Sequence, residues 1–309
     1  MRYALLVVAA GVLFGTTGTT RALAPAGASS LSVGAIRLAA GGLLLGVIGL
    51  VAHLRRPYPR ATPVITRPTL REALVVVTCA ACIMAYQATF FEGTRQNGVM
   101  VGTMVALGSS PLFAGLIEWL VLHHRPRLAW VAATVVSVAG VVALSATPGT
   151  GTQSVSLLGI GDSLVAGASF AGLAVGAKWL LQRGWHPLDV AATAMTTGAL
   201  MAVVTLIGTD LTWLATPRGV AVAAWLALGT MVAAYALNLT GLAGTSAATA
   251  TTLNLTEPAT ATVLGMIVLG EAMTPLRGLG IAAVIVGVLI LAVTARREEY
   301  AETTGPNVA

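Results

Sequence analysis

Apolar residues run along this chain in blocks of 17 to 25 positions, with neither the stripe of a surface helix nor the alternation of a half-buried strand. The blocks lie at 4–20, 31–52, 72–91, 98–122, 128–145, 157–179, 189–209, 219–239, 246–269 and 275–294. About 20 apolar residues, rising 1.5 Å each, cross a hydrocarbon core of roughly 30 Å, so each block predicts one transmembrane helix. Lipid offers no partner to a bare N–H or C=O, which leaves helices and closed barrels as spanning solutions. Runs such as LLVVAAGVL and IAAVIVGVLILAV lack the period of two that a barrel needs. The expected fold is therefore an all-α membrane protein of ten transmembrane helices.

Composition agrees. Of the 309 residues 56% are hydrophobic and 9% charged, against roughly 25% charged in an ordinary soluble domain. A soluble globular fold, a disordered chain and a nucleic-acid binder are excluded on these grounds. The formal charge of +6 reads instead as a topology signal. Lys and Arg are retained on the cytoplasmic side of short loops. An inside N-terminus places Arg2, Arg55, Arg56, Arg60, Arg67, Arg71, Arg125, Arg127, Lys178, Arg183, Arg296 and Arg297 in the cytoplasm, twelve residues against Arg21, Arg95, Arg218 and Arg277 outside. Both termini are then cytoplasmic in a multi-pass protein of the bacterial-type cytoplasmic membrane, and the inner face contacts anionic lipid. Trp119, Trp130, Trp179, Trp185 and Trp213 fall at block ends, where rings favour the headgroup level.

Two local patterns invite other readings. Arg2, the first apolar run and Ala24-Pro25-Ala26 resemble a secretory leader, but the run is long for a leader core and belongs to the repeat described next. Cys79-x-x-Cys82 lies in an apolar helix with no histidine in its block and no second pair, so both cysteines read as small packing residues rather than ligands.

The chain looks duplicated. Gly11 to Phe14 has a counterpart in Gly167 to Phe170, Ala85-Tyr86 in Ala234-Tyr235, Ser110-Pro111 in Glu257-Pro258, and Leu122 to Arg125 in Leu269 to Ala272. The halves are 1–145 and 157–295, joined by a Gly/Thr/Ser-rich linker at 146–156 and followed by a cytoplasmic tail at 296–309. Five spans per half is an odd number, so the copies are inverted. Inverted repeats are an architecture from which alternating access follows, with the substrate site at the midplane between them.

In this order of elements the chain resembles the EamA branch of the drug/metabolite transporter superfamily. The resemblance rests on five plus five spans, a basic loop after the second, Arg37 within it, prolines 111 and 258, and Leu269-Gly270-Glu271 closing span nine. Ala85-Tyr86-Gln87, Gly102-Thr103, Ala106-Leu107-Gly108-Ser109 and Pro111 belong to the same pattern. In the first half His123-His124 replaces the usual Gly-Glu ending. The resemblance implies two inverted five-helix bundles around a central cavity, and export or exchange of small metabolites, often amino acids or related compounds.

Ionisable groups in hydrocarbon are costly, which makes each a functional candidate. Glu257 is central and precedes Pro258, in the position where both halves carry a proline; with Asn254 one turn back it forms a polar patch that contacts substrate or accepts a proton, the alternative being a structural carboxylate. Arg37 holds a substrate carboxylate, pairs with an acid such as Glu257, or snorkels. Tyr86 and Gln87, Tyr235 and Asn238, and the rings of Phe14 and Phe170 stand at quasi-equivalent places and are read as cavity lining, with packing as the alternative. Ser110, Pro111 and Pro258 are the candidate helix breaks or gates. Asp162 reads as a charge near a helix start, Glu118 as interfacial and Lys178 as peripheral. Thr252, Thr256 and Thr260 form a stripe that resembles an ion path, although such hydroxyls commonly bond back one turn.

Neither a Walker sequence nor metal-ligand spacing is present, and the four histidines (53, 123, 124 and 186) sit at predicted cytoplasmic edges, so no enzyme activity, metal or cofactor is expected. A passive channel is the rival to a carrier. Only one basic residue lies deep in a span, so the expected small-molecule substrate is amphipathic or zwitterionic with at most one strongly held anionic group. One central carboxylate permits proton coupling; no acidic cluster marks a sodium site.

Overall fold

The computed structural model describes residues 2–55, 68–123, 127–145, 156–270 and 275–304. Most of the linker at 146–156, the basic loop after the second span, Glu271 and the end of the tail fall outside these ranges. The elements are α1 (Arg2–Ala22), α2 (Ser30–Arg55), α3 (Leu70–Leu122), α4 (Leu128–Ser145), α5 (Leu157–Gln182), α6 (Pro187–Thr205), α7 (Pro217–Ala227), α8 (Ala234–Ala243), α9 (Ala247–Leu253), α10 (Thr256–Leu269) and α11 (Pro275–Thr304). A 3-10 turn at Thr212–Ala215 precedes α7, and a π-helical segment, Leu228–Ala233, joins α7 to α8. Among the described residues every regular element is helical.

Among the described residues, seven segments are long and apolar enough to cross a bilayer: Arg2–Ala22, Leu31–Arg55, Leu70–Thr94, Val105–Leu122, Leu157–Gln182, Pro187–Thr205 and Pro217–Ala243. Leu128–Ala143 and Gly278–Leu291 are shorter apolar helices. The outward surface carries large side chains such as Leu50, Leu120, Leu157, Ile207 and Leu279, while the interior is rich in alanine and glycine. That distribution suits lipid rather than water outside.

Helix ends follow local chemistry. Thr69 and Glu72 close a capping box on α3, Ser156 caps α5, and Ser246 caps α9. Pro187 and Pro217 open α6 and α7 at positions where a missing N–H costs nothing. His123 and Gly270 close α3 and α10 in the same left-handed conformation, with φ of 57° and 71°. Their equivalence matches the sequence pairing of Leu122 with Leu269.

Three elements depart from the block pattern. The blocks 72–91 and 98–122 share one run of helical hydrogen bonding, Leu70–Leu122, but that run folds back on itself. A Cβ on Gly102 would lie 2.8 Å from the Thr94 Cα, whereas eight residues of straight helix separate atoms by about 12 Å. The block 246–269 is not one helix: it breaks at Asn254-Leu255 into α9 and α10. The block 219–239 contains the π-helical turn, which sequence periodicity does not register.

The main packing partners are α3 with α5, α2 with α6, α4 with α11, and α1 with α8 and α10. Small residues set the close approaches. Gly241 of α8 and Gly244 just past its end meet Val7 and Tyr3 of α1, and Gly172 and Gly176 of α5 meet the thiols of Cys82 and Cys79. The cysteines are thus small packing residues in the seam that the Gly-x-x-x-Gly pair opens. Gly11 rests on Thr256, just before Glu257-Pro258, and Gly167 rests on Ser109 and the Ala106 carbonyl, just before Ser110-Pro111.

A left-handed backbone penalises a Cβ. Exchange of His123 for glycine is therefore expected to stabilise the protein by about 1 kcal/mol, and Gly270→Ala to destabilise it by a similar amount. Thermal unfolding of the two variants in detergent, beside the parent, checks both signs.

Candidate functional site

The cavity lies where α1, α2, the first limb of α3, α5, the π-helical turn, α8 and α10 converge. It is lined by Phe14, Arg37, Leu38, Cys82, Ile83, Tyr86, Gln87, Phe170, Leu173, Met231, Tyr235 and Glu257. Aromatic pairs line it. Phe14 meets Tyr235 edge to face with centroids 5.1 Å apart, and Tyr86 lies 5.7 Å from Phe170 and 5.3 Å from Phe90, stacked on the latter.

Arg37 enters from α2. One terminal nitrogen donates to the Thr230 carbonyl at 3.3 Å, inside the π-helical turn, and its Nε is buried without a partner among the described residues. A π turn spaces its carbonyls differently from an α turn and recurs at functional sites. Here it turns one toward a cation. The turn is itself fixed: the Thr230 hydroxyl donates to the Leu226 carbonyl at 2.7 Å, and Met231 packs on Gly41, one turn along α2 from Arg37. Glu257 enters from the first turn of α10, where its amide donates to the Asn254 carbonyl at 2.9 Å. The site therefore combines one cationic and one anionic side chain with four aromatic rings.

Of the nine residues expected to bind substrate, seven line this cavity: Phe14, Arg37, Tyr86, Gln87, Phe170, Tyr235 and Glu257. Asn238 and Asn254 do not. Both are buried, and Asn254 donates to the Asn238 side-chain oxygen at 3.3 Å, tying the end of α9 to α8. The proline breaks are unequal. Pro258 stands in the first turn of α10 after a real interruption, whereas Pro111 lies inside α3 without ending it. Ser110 is buried and bonds back to the Leu107 carbonyl. The threonine stripe is not an open path: Thr252, Thr256 and Thr260 each donate to a carbonyl one turn earlier, and Thr252 also meets Thr134 at 2.9 Å.

Four further residues are held in ways that their place in the sequence does not show. Glu118 is buried, and Lys178 is half-buried and bonded to backbone carbonyls. Trp185 is buried, donating to Glu72 at 3.2 Å, and Trp213 is buried in a cluster with Val33, Val222 and Leu226. Leu38, Cys82, Ile83, Leu173 and Met231 line the cavity with no sequence signal of their own, because a cavity-lining apolar residue and a packed one look alike in a uniformly apolar span.

A cavity with Arg37, Glu257 and aromatic rings in its wall lies among helices long enough to cross a membrane, and comparison with known proteins puts the chain among transporters. The EamA-like transporter family model matches twice, over residues 1–146 and 157–293. The chain is 36% identical over 304 residues to "Uncharacterized transporter YwfM" of Bacillus subtilis, covering 97% of each. It is 25% identical over 203 residues to "Uncharacterized transporter sll1319" of Synechocystis sp., covering 64% of this chain and 59% of that one. A solved crystal structure at 20% identity shares the fold with a TM-score of 0.74 over 96% of this chain and 98% of that chain. The chain belongs to the EamA-like transporter family, within the drug/metabolite transporter superfamily, and is a multi-pass membrane protein.

The division between lining and buttressing residues has a measurable consequence. Asn238→Leu leaves the Asn254 amide buried and unpaired and is expected to lower stability by about 1–3 kcal/mol. Gln87→Leu, on the cavity wall, is expected to cost less than that, and thermal unfolding of the two variants side by side distinguishes the roles.

Proposed function

We propose that this protein is a secondary transporter that carries small amphipathic or zwitterionic metabolites, amino-acid-like compounds foremost, out of the cell by alternating access between two inverted five-helix repeats. The observation that carries this reading is the placing of Arg37 and Glu257 on one cavity wall set with Phe14, Tyr86, Phe170 and Tyr235. A guanidinium whose buried Nε has no partner among the described residues suits a carboxylate. A carboxylate among rings suits an ammonium, and the rings suit an apolar body.

The packing supports the inverted arrangement. Exchanging the halves carries the antiparallel pair α1 and α8, with its Phe14–Tyr235 contact, onto α5 and the first limb of α3, with Tyr86–Phe170. It carries Gly11 on Thr256 onto Gly167 on Ser109. It also returns α2 with α6, and α4 with α11, onto themselves. In this reading α3 contributes two spans, α7 and α8 one, and α9 and α10 one, which gives ten spans, with both termini cytoplasmic. Rocking of the halves about these seams exposes the chamber to either side in turn. Glu257 is the one acidic residue of the wall and is the group proposed to carry a proton if flux is coupled to one.

Proteoliposomes loaded with candidate amino acids and related metabolites test the reading. Counterflow that saturates is expected of a carrier, while linear flux without counterflow identifies a channel. Glu257→Gln is expected to abolish flux driven by a pH gradient while leaving the protein folded, and undiminished pH-driven flux in that variant discards the proton role.

A further inference from the structure

The turn at Gly244, Thr245 and Ser246 joins α8, which carries Tyr235, to α9, which leads through α10 to Glu257. Charges from two other helices grip this elbow. Glu118, near the end of α3 and 2% exposed, accepts hydrogen bonds from the Ala247 amide at 3.2 Å and the Ala248 amide at 2.8 Å, one on each carboxylate oxygen. Lys178 of α5 donates to the Leu242 carbonyl at 3.0 Å and the Ala243 carbonyl at 3.2 Å. An anion at a helix start and a cation at a helix end each match the sign of the backbone dipole there. Bonds to ionised groups are also the stronger kind where solvent is scarce. Tyr3 of α1 lies against Gly244 on another side of the elbow.

At the far end of α5 the fold-back of α3 is held differently. Asn97 donates to the Ser156 carbonyl at 3.0 Å and accepts from the Ser156 amide at 2.6 Å; the Ser156 hydroxyl donates to the Gln96 oxygen at 2.8 Å. Gln96 in turn donates to Glu92 and Asp162. There the group that reaches the backbone of Ser156 is the amide of Asn97; at the elbow such groups are a carboxylate and an ammonium, each spanning two backbone groups.

We propose that Glu118 and Lys178 are positioning residues that clamp the α8–α9 elbow and close the cavity at that end, and that carriage of substrate requires the clamp to release. The second part rests on the alternating-access reading. Because the elbow links the pieces bearing Tyr235 and Glu257, its release frees both walls together. On the charge distribution of the sequence this end faces the cytoplasm.

The protein contains its own reporter. Cys82 lines the cavity, and Cys79, the chain's other cysteine, is buried one turn away. With Cys79→Ala as the parent, a membrane-impermeant maleimide is applied to reconstituted vesicles from either face, and labelling of Cys82 is timed. In Glu118→Gln and in Lys178→Met, labelling from the elbow's face is expected to rise about tenfold, with no rise from the other face. Ala247→Pro provides a variant that leaves both charged residues in place. It removes one amide from the Glu118 grip at a first helical position, where proline is accepted, after a residue already extended at φ −74° and ψ 157°. A smaller rise of the same sidedness is expected. Rates unchanged in all three variants, or raised equally from both faces, overturn the clamp. Absence of labelling from either face in every protein, the parent included, overturns release of the clamp as the step that opens the chamber, while saturable counterflow in the same vesicles reports separately on the carrier reading on which it rests.

Discussion

Close backbone approach at glycine is the constraint on which this structure depends. Helices in lipid gain nothing from hiding apolar surface, since the tails around them are equally apolar, and association rests on contact at short range. At Gly11, Gly15, Gly167 and Gly241 the space a Cβ would take holds a neighbour's carbonyl or hydroxyl. These crossings fix α1 against α10 and α5 against the second limb of α3. Because Glu257 follows directly on Thr256, the residue beneath Gly11, the position of the carboxylate in the chamber is set by a missing side chain on another helix.

The same economy of space governs the chamber. Its ionisable groups come from elements whose backbones are irregular at the point of entry: Arg37 meets the wide turn between α7 and α8, and Glu257 follows the break between α9 and α10. Irregular backbone at membrane depth is tolerated where protein surrounds it or a cavity adjoins it. Here it gives a charged side chain a polar neighbour without importing another polar side chain into the span.

Much of this was legible in the sequence because lipid imposes a coarse and strict rule on segment length. Blocks such as 4–20, 31–52 and 157–179 became helices with nearly those ends, and Phe14, Tyr86, Phe170 and Tyr235 came together because the duplicated order of residues carries their pairing. Asn238 and Asn254 pair with each other instead of lining the cavity, which the sequence does not show for a physical reason: an amide's sequence position tells its helix and depth, not whether it faces a void or another amide. Glu118 was read as interfacial and Lys178 as peripheral from their nearness to block ends; that position does not reveal that the backbone groups holding them belong to a turn more than sixty residues away. The π turn left no trace in periodicity, since its residues, Leu228–Ala233, would suit a regular helix in the same span equally well.

That wide turn also bears on how relatives of this protein can diverge. An extra residue within a helix rotates everything beyond it by about 100°, so the faces of α7 and α8 are offset from one another by the surplus at Leu228–Ala233. Tyr235 owes its orientation to that offset as much as to its own place in the chain. A lineage that lost a single codon there would keep its hydropathy profile and its span count, yet present a different row of side chains to whatever it carries.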